Sequence, residues 1–219
     1  MLETSTECCS VAISRGKEII ARRQTDTAKQ HAAMLAPFVD EALKEAGLTV
    51  ADCDAVAVSE GPGSYTGLRV GVSTAKGLCF GSSKPLVAVG TLRILAMMGL
   101  GKAEIIVPMI DARRMEVYSA VFDGEGRELR GTEAVILDGD SFSDLLAEHK
   151  VLFIGDGAEK FKSVMHHPNA IFESCCPIAD AMAGPATEAY EKEKFEDIAY
   201  FEPFYLKEFV AGISKKSVL

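Results

Sequence analysis

Residues Ser59 to Gly81 read SEGPGSYTGLRVGVSTAKGLCFG, and this stretch decides the fold of the chain. The run before it, Asp54 to Val58, has the length and β-branched content of a buried strand. Gly61-Pro62-Gly63 then interrupts both helix and strand, and Leu68 to Phe80 follows as an apolar stretch with no proline. The sequence therefore predicts a strand, a glycine turn and a helix.

The glycine turn invites comparison with phosphate-binding loops. It comprises Gly61, Pro62, Gly63, Ser64, Tyr65 and Thr66. A helix that begins here directs free N–H groups at the turn, which favours an anion site, with Ser64 or Thr66 as the cap. However, the dinucleotide motif needs glycine where Thr66 stands, and the P-loop needs Lys-Ser/Thr after Gly67. A tight turn that lets the helix pack closely on a sheet is the alternative, and both remain open.

Small residues mark one side of this helix. Gly67, Gly71 and Ala75 are four residues apart and share a face, while Ser73 and Gly77 form a second row. Each glycine inside a helix costs ~1 kcal/mol relative to alanine. The small face therefore indicates that another backbone comes close, either from the chain's own sheet or from a helix of a partner protein.

The two halves of the chain show the same order of patterns. Residues 1–24 and 104–137 both read as strands joined by turns, and each is followed by alternating helices and strands. A glycine pair, Gly99 and Gly101, predicts a boundary that divides lobe 1–101 from lobe 102–219. This duplication predicts an α/β, two-lobed ribonuclease-H-like fold of the actin-like ATPase (ASKHA) class, each lobe a mixed sheet with helices.

Composition limits the partners and the compartment. The 219 residues include 23 basic and 32 acidic side chains, a net charge of −9, which argues against independent tight binding to nucleic acid. No run of about 18 apolar residues occurs, so we expect no membrane-spanning segment. The six cysteines include two adjacent pairs, which make a poor disulfide framework, and we expect free thiols in a reducing cytosol. They are Cys8, Cys9, Cys53, Cys79, Cys175 and Cys176.

Two hairpins occupy the places where an actin-like ATPase binds phosphate. Glu3, Thr4 and Ser5 form the first, but no glycine follows the acid, so a polar strand end and a nucleotide contact are both open. Only two residues precede Glu3, and we expect a shortened start. Asp111, Arg113 and Arg114 form the second hairpin, where a salt-bridged turn and a surface for a charged partner or ligand are the two readings.

Several motifs together resemble one known family. They are Ser59 to Arg69 with Gly71 and Ala75-Lys76-Gly77, Glu3 to Glu7, Gln30-His31, Ile110 to Arg114, and Tyr205-Leu206. This set, spread along nearly the whole chain, resembles the TsaB family, also called YeaZ. The central motif is partly shared with the catalytic paralogue TsaD.

The resemblance implies a role without catalysis. TsaB pairs with TsaD and the ATPase TsaE, and TsaD transfers a threonylcarbamoyl group to adenosine 37 of tRNA. The resemblance implies a cytoplasmic protein that meets tRNA only through the complex, forms a homodimer when alone, and by itself binds no cofactor, since ATP and metal belong to its partners. TsaD relatives hold a metal with two histidines four residues apart; here Leu35 stands four residues after His31.

The family interface implied is a bundle of helices from the N-terminal lobes. We expect it on His31, Leu35, Val39, Gly67, Arg69, Gly71, Val72, Ala75, Lys76 and Cys79. The small face of the central helix offers the physical reason, because it permits close helix approach. Two other functions stay open: a glycoprotease-like peptidase, and a small-molecule or nucleotide-binding protein of the ATPase fold.

Overall fold

The computed structural model describes residues 1–25, 27 and 30–207, whose strands form two sheets. The strands of the first sheet are β1 (Leu2–Glu3), β2 (Cys9–Arg15), β3 (Glu18–Thr25), β4 (Val56–Gly61) and β5 (Leu86–Gly90). Those of the second are β6 (Ile105–Asp111), β7 (Glu116–Asp123), β8 (Glu128–Ile136), β9 (Val151–Ile154) and β10 (Ala170–Glu173). The helices are α1 (His31–Ala46), α2 (Tyr65–Ser82), α3 (Thr91–Met98), α4 (Ser143–Glu148), α5 (Ala158–Lys162) and α6 (Ala183–Glu191).

The two sheets repeat one topology. Their strand orders are β3-β2-β1-β4-β5 and β8-β7-β6-β9-β10. In each sheet the first three strands pair antiparallel and the last two extend the sheet in parallel. This confirms the duplication and the two-lobed α/β fold that the sequence predicts.

The first sheet is covered on both faces, as its apolar parallel strands require. On one face α1 and α2 pack through Leu35, Ala42, Val72 and Ala75 against Val58. On the other face lies a separate cluster whose members are Ala57, Val87, Val89, Ile94 and Met182. Both α1 and α2 therefore lie on one side of the first sheet, and this arrangement determines which of their residues remain exposed.

Apolar residues three and four apart predict helix α1 over residues 28–46, with a kink or a break at Pro37. It runs without a break from His31 to Ala46, and Gly47 ends it in the left-handed region at φ 68°. Pro37 removes the N–H that would bond to the Ala33 carbonyl, but both residues are exposed, so water can reach that carbonyl. Ala28 and Lys29 lie outside the described residues.

The sequence predicts a helix over residues 177–194 with an interruption at Gly184-Pro185, and the predicted interruption is wrong. A 3-10 turn (Ala179–Met182) comes first, and α6 then begins at Ala183 and continues through Pro185. Proline is tolerated there because the N–H groups of the first helical turn have no partner within the helix. The change from 3-10 turn to α-helix at Met182 is the actual irregularity.

The C-terminal part of the chain returns to the first sheet. Ala179 N donates to Ser10 Oγ at 2.9 Å, and Phe201 packs against the core beneath α1 and α2. The glycine pair near residue 100 thus separates the strands of the two sheets. It does not separate all the covering segments, because chain that follows it also packs on the first sheet. The division into lobes 1–101 and 102–219 stays a prediction. Within the described ranges, no helix has the length and apolar character needed to cross a membrane.

Candidate functional site

The small face of α2 packs against Thr4, directly after β1, and against Val58 of β4. A Cβ added to Gly67 would meet the Thr4 carbonyl oxygen, and one added to Gly71 would meet Thr4 Oγ1. Thr4 Oγ1 also donates to the Gly67 carbonyl at 2.8 Å. Of the two approaches left open for this face, the structure therefore shows the chain's own sheet.

The glycine turn is a tight connection from β4 to α2. Ser64 caps the helix by accepting from Gly67 N at 3.3 Å, and its own N–H donates to the Ser5 carbonyl at 2.6 Å. Gly61 has φ +120°, which only glycine adopts readily, and an added Cβ would lie 2.5 Å from the Phe204 carbonyl. The first hairpin and the C-terminal tail therefore approach this turn from two sides.

The first hairpin is buried beneath α2. Glu3 is fully buried; its Oε1 accepts from Ser5 N at 2.6 Å and from Ser59 Oγ at 3.1 Å. Its Oε2 has no hydrogen-bond partner among the described residues, and burial raises the pKa of the carboxyl to about 7. Ser5 lines the cleft between the sheets, whereas Glu3 and Thr4 do not. Glu3 therefore acts as an internal contact of the hairpin.

The second hairpin is a salt-bridged turn, and its use as a surface for a charged partner or ligand stays a prediction. Asp111 Oδ1 accepts from Lys160 Nζ at 2.8 Å, which makes this a salt-bridged turn. Arg113 and Arg114 are exposed at positive φ, and Arg113 lines the cleft. In the described part of the chain neither guanidinium forms an ion pair.

A cleft of about 750 Å³ opens between these hairpins. Its lining residues come from both sheets and the tail: Ser5, Thr6, Glu7, His31, Ala32, Pro62, Gly63, Ser64, Tyr65, Thr66, Gly67, Val70, Ile110, Asp111, Ala112, Arg113, Tyr118, Asp156, Phe204, Tyr205, Leu206 and Lys207. Its charges are of both signs, and two are engaged: Lys207 pairs with Glu116, and Asp111 with Lys160. Burial raises the pKa of Asp156, which accepts from Asp111 N at 2.8 Å. The cleft thus presents mixed charge rather than a cationic cradle for phosphates.

Two potentially reactive side chains, Cys79 of α2 and His31 of α1, are held in structural roles. Cys79 is fully buried, and burial raises the pKa of its thiol to about 11, so it is protonated near neutral pH. The His31 ring nitrogen Nε2 lies 3.1 Å from the Cys8 carbonyl oxygen. Among the described residues, no three His, Cys, Asp or Glu side chains lie where they could share a metal ion.

The sides of α1 and α2 that face away from the first sheet are exposed. Near the start of α1 this exposed surface is largely uncharged. The exposed residues of this surface, hereafter the α1–α2 face, are Ala32, Ala33, Ala36 and Pro37 on α1 and Thr66, Arg69, Ser73, Gly77 and Phe80 on α2. Phe80 is 84% exposed, and a Cβ added to Gly77 would meet no atom within 4 Å. A groove of about 580 Å³ runs between the two helices. The α1–α2 face therefore combines small residues, an exposed aromatic ring and a groove.

The C-terminal tail borders this face along α2. Lys76 Nζ donates to the carbonyls of Ala199 at 3.3 Å and Phe201 at 2.9 Å. Arg69 lies 4.1 Å above the centre of the Tyr65 ring and donates from Nε to Tyr205 Oη at 3.2 Å. The tail is thus fixed to α2 by two cationic side chains.

The predicted interface residues divide between the core and the surface. Those buried in the protein's own core are Leu35, Val39, Gly67, Gly71, Val72, Ala75 and Cys79. Within this chain the small face accommodates Thr4, and the interface itself stays a prediction. His31 and Lys76 are half-buried, and Arg69 is exposed. The α1–α2 face went unrecognised, although the second row, Ser73 and Gly77, was its signal.

The expectation that all cysteines are free is wrong. Cys8 and Cys176 form a disulfide with their Cα atoms 6.0 Å apart, while Cys9, Cys53, Cys79 and Cys175 are free thiols. The pair is separated by 168 residues, so only the return of the C-terminal segment to the first sheet brings it together. Adjacent cysteine pairs gave no sequence signal for this pairing.

Comparison with known proteins agrees with this architecture. The sequence model of the family described as TsaD, tRNA N6-adenosine threonylcarbamoyltransferase, matches residues 18–213. The chain is 28% identical to the tRNA threonylcarbamoyladenosine biosynthesis protein TsaB of Escherichia coli, over 96% of this chain and 94% of that protein. It is 31% identical to the TsaB protein of Bacillus subtilis, over 75% and 73%.

Solved structures show the same fold. YeaZ from Pseudomonas aeruginosa superposes with a TM-score of 0.81 at 30% identity, covering 94% of this chain and 97% of that one. An activator of 2-hydroxyisocaproyl-CoA dehydratase from Clostridium difficile superposes with a TM-score of 0.50 at 11% identity, covering 88% and 94%, which is a likeness of fold alone.

The duplicated sheets with a cleft between them define a protein of the two-lobed, actin-like ATPase class, in which the first hairpin lacks the glycine turn for phosphate. Within that class the chain belongs to the TsaB family, also called YeaZ.

Proposed function

We propose that this protein is a non-catalytic subunit in the threonylcarbamoylation of adenosine 37 of tRNA. It pairs with a TsaD-type transferase, and the pair works with a TsaE-type ATPase. The names of the curated relatives support the pathway. ATP and metal belong to the partner proteins, tRNA meets the chain only within the complex, and the site of action is the cytoplasm.

One observation carries the proposal: α1 and α2 expose small and apolar residues that the protein's own core does not use. Ser73 and Gly77 are four residues apart on the outer side of α2, with Phe80 one turn further on. Small residues permit close approach of a second helix, and covering an exposed aromatic ring favours binding of a partner. A pair of helices from the partner would complete a bundle with α1 and α2.

The same surface accounts for a homodimer when the transferase is missing. Two copies that pair α1–α2 face to α1–α2 face form a closed twofold interface, in which the same residues meet from both sides. The transferase and the second copy then compete for one surface.

The candidate reactive side chains in the cleft and on α2 favour a protein without catalysis of its own. Ser5 is fully buried, Cys79 is buried with a raised pKa, and Asp111 is paired with Lys160. A glycoprotease would need an activated nucleophile or a metal, and a nucleotide-binding protein would need donors for phosphate.

Reconstitution of threonylcarbamoyl transfer tests the proposal. A TsaD-type transferase, a TsaE-type ATPase and tRNA are assayed with and without this chain, and transfer should need the chain. The chain alone should neither hydrolyse peptides nor bind ATP with magnesium in a calorimetric titration. Transfer that proceeds equally well without the chain, or peptide hydrolysis that a single substitution abolishes, would overturn the proposal.

A further inference from the structure

The Cys8–Cys176 disulfide connects two distant parts of the fold. Cys8 ends the loop between β1 and β2, and Cys176 lies in the connection that leads from β10 to the 3-10 turn at Ala179. One end of the bridge therefore belongs to the first sheet, and the other to chain that arrives from the second sheet. Closing it fixes the loop of residues 4–8 against the returning C-terminal segment.

That loop supports the first turns of both surface helices. The Cys8 carbonyl oxygen lies 3.1 Å from His31 Nε2, at the first residue of α1. The Ser5 carbonyl accepts from Ser64 N, the N-cap of α2, at 2.6 Å. Ala32 and Ala33 of the α1–α2 face follow His31 directly. A change in the freedom of the loop therefore reaches the start of that face.

The surroundings of the cysteines favour thiol–disulfide exchange at the Cys8–Cys176 bridge over exchange with the neighbouring thiols. Cys8 is 5% exposed, whereas Cys176 is only partly buried, so a reductant reaches the Cys176 sulfur first. Burial raises the pKa values of the neighbouring thiols Cys9 and Cys175 to about 11. These neighbours are weak competitors for exchange, because the thiolate is the attacking species.

We propose that Cys8 and Cys176 are a redox-modification site, a reversible dithiol–disulfide pair whose closed form strengthens docking at the α1–α2 face; the docking part rests on the proposed function. A dithiol reductant opens the bridge. Its thiolate attacks Cys176 Sγ and releases Cys8 as the thiolate, and its second thiol then displaces Cys176. Two electrons and two protons pass to the protein, and the reductant becomes a disulfide. The reverse exchange, with a small-molecule disulfide as the oxidant, closes the bridge and removes the same two electrons and two protons.

Thiol mapping and hydrogen exchange test the pair without any partner. After mild oxidation, alkylation of the denatured chain should modify four of the six cysteines, and six after reduction. Amide exchange in residues 4–8 and 31–36 should accelerate on reduction, and Cys176→Ser should show the fast exchange without reductant. The matched control Cys175→Ser should behave as the parent does. Six modified cysteines in the oxidised sample, or exchange that reduction leaves unchanged, would overturn the redox pair.

Docking is then compared between the two states. The oxidised parent and oxidised Cys175→Ser should bind a TsaD-type chain about fivefold or more tightly than the reduced parent and Cys176→Ser, a ratio at the lower end of couplings between linked sites. Equal affinities in both states would overturn the link to docking. If no state binds the partner while exchange still responds to reduction, the proposed function fails and the redox pair stands.

Discussion

In the first hairpin, the side chain of Glu3 makes internal hydrogen bonds at a position where an ATPase of this fold contacts phosphate. Glu3 stands where this class carries an acidic residue beside phosphate, yet here it is fully buried and bonded to Ser5 and Ser59. The sequence identified the missing glycine but left the role of Glu3 open. The burial of Glu3 depends on where α2 packs over the first hairpin, and the local sequence around residue 3 does not predict this.

The buried Glu3 carboxyl predicts a pH dependence of stability. Its folded pKa of about 7 exceeds the ordinary 4.5, so between these values the folded chain binds more protons than the unfolded chain. The free energy of unfolding should therefore fall as pH rises through this window, by about 3 kcal/mol at most, and the loss is complete above it. Glu3→Gln resembles the protonated acid and should remove this contribution.

Urea unfolding at pH 4.5 and 8 measures the effect as the difference between Glu3→Gln and the parent, because other groups titrate alike in both. Relative to the parent, the variant should gain stability as pH rises. The exposed Glu133→Gln serves as control and should show no such trend. A parent–variant difference that stays flat with pH would contradict the buried-acid account.

At the scale of one element, α2 presents two rows of small residues with opposite roles. Gly67 and Gly71 meet Thr4, which follows the first strand, whereas Ser73 and Gly77 face outward. The sequence predicted the helix, a cap at Ser64 or Thr66, and the spacing of both rows. It could not decide which row meets the protein's own sheet, because four-residue spacing defines a face but not what covers it.

The two glycine rows predict opposite effects of alanine. Gly71→Ala should lower the free energy of unfolding by about 1–3 kcal/mol, because the new methyl group collides with Thr4 Oγ1, which already bonds to Gly67. Gly77→Ala should raise it by about 0.5–1 kcal/mol, because its Cβ meets open space and alanine favours helix.

Denaturant unfolding of the two variants measures both signs in one experiment. The pair is matched, since each variant adds one methyl group to the same helix. Similar destabilisation by both substitutions would mean that the outer row is packed as tightly as the inner one. That result would remove the basis for the α1–α2 face.

Across the whole molecule, long-range contacts explain what the sequence could not predict. The repeated strand pattern predicted two sheets of one topology, since hydrophobic periodicity is local information. The aromatic run Tyr200 to Leu206 predicts a tail that docks on a lobe, but the Cys8–Cys176 bridge depends on a chain return across 168 residues. Spacing within a motif carries no information about such returns, and so the disulfide was not predicted.

The contacts of Lys76 with the C-terminal tail predict that substitution of this lysine loosens the tail locally. Lys76→Met removes both hydrogen bonds to the carbonyls of Ala199 and Phe201, each worth about 1 kcal/mol. Limited proteolysis should therefore cut residues 197–207 faster in this variant, with little change elsewhere. Lys150→Met, at an exposed lysine, is the matched control. Equal cleavage rates for both variants would show that Lys76 does not hold the tail.

The central claim is that the protein acts by docking through the outer side of α1 and α2. The most direct measurement is a calorimetric titration of a TsaD-type chain with Ser73→Arg and with the control Ala134→Arg, an exposed site on β8 that gains the same charge. Circular dichroism confirms that both variants are folded. The account predicts that Ser73→Arg loses binding while Ala134→Arg binds as the parent does. Undiminished binding by Ser73→Arg would contradict it.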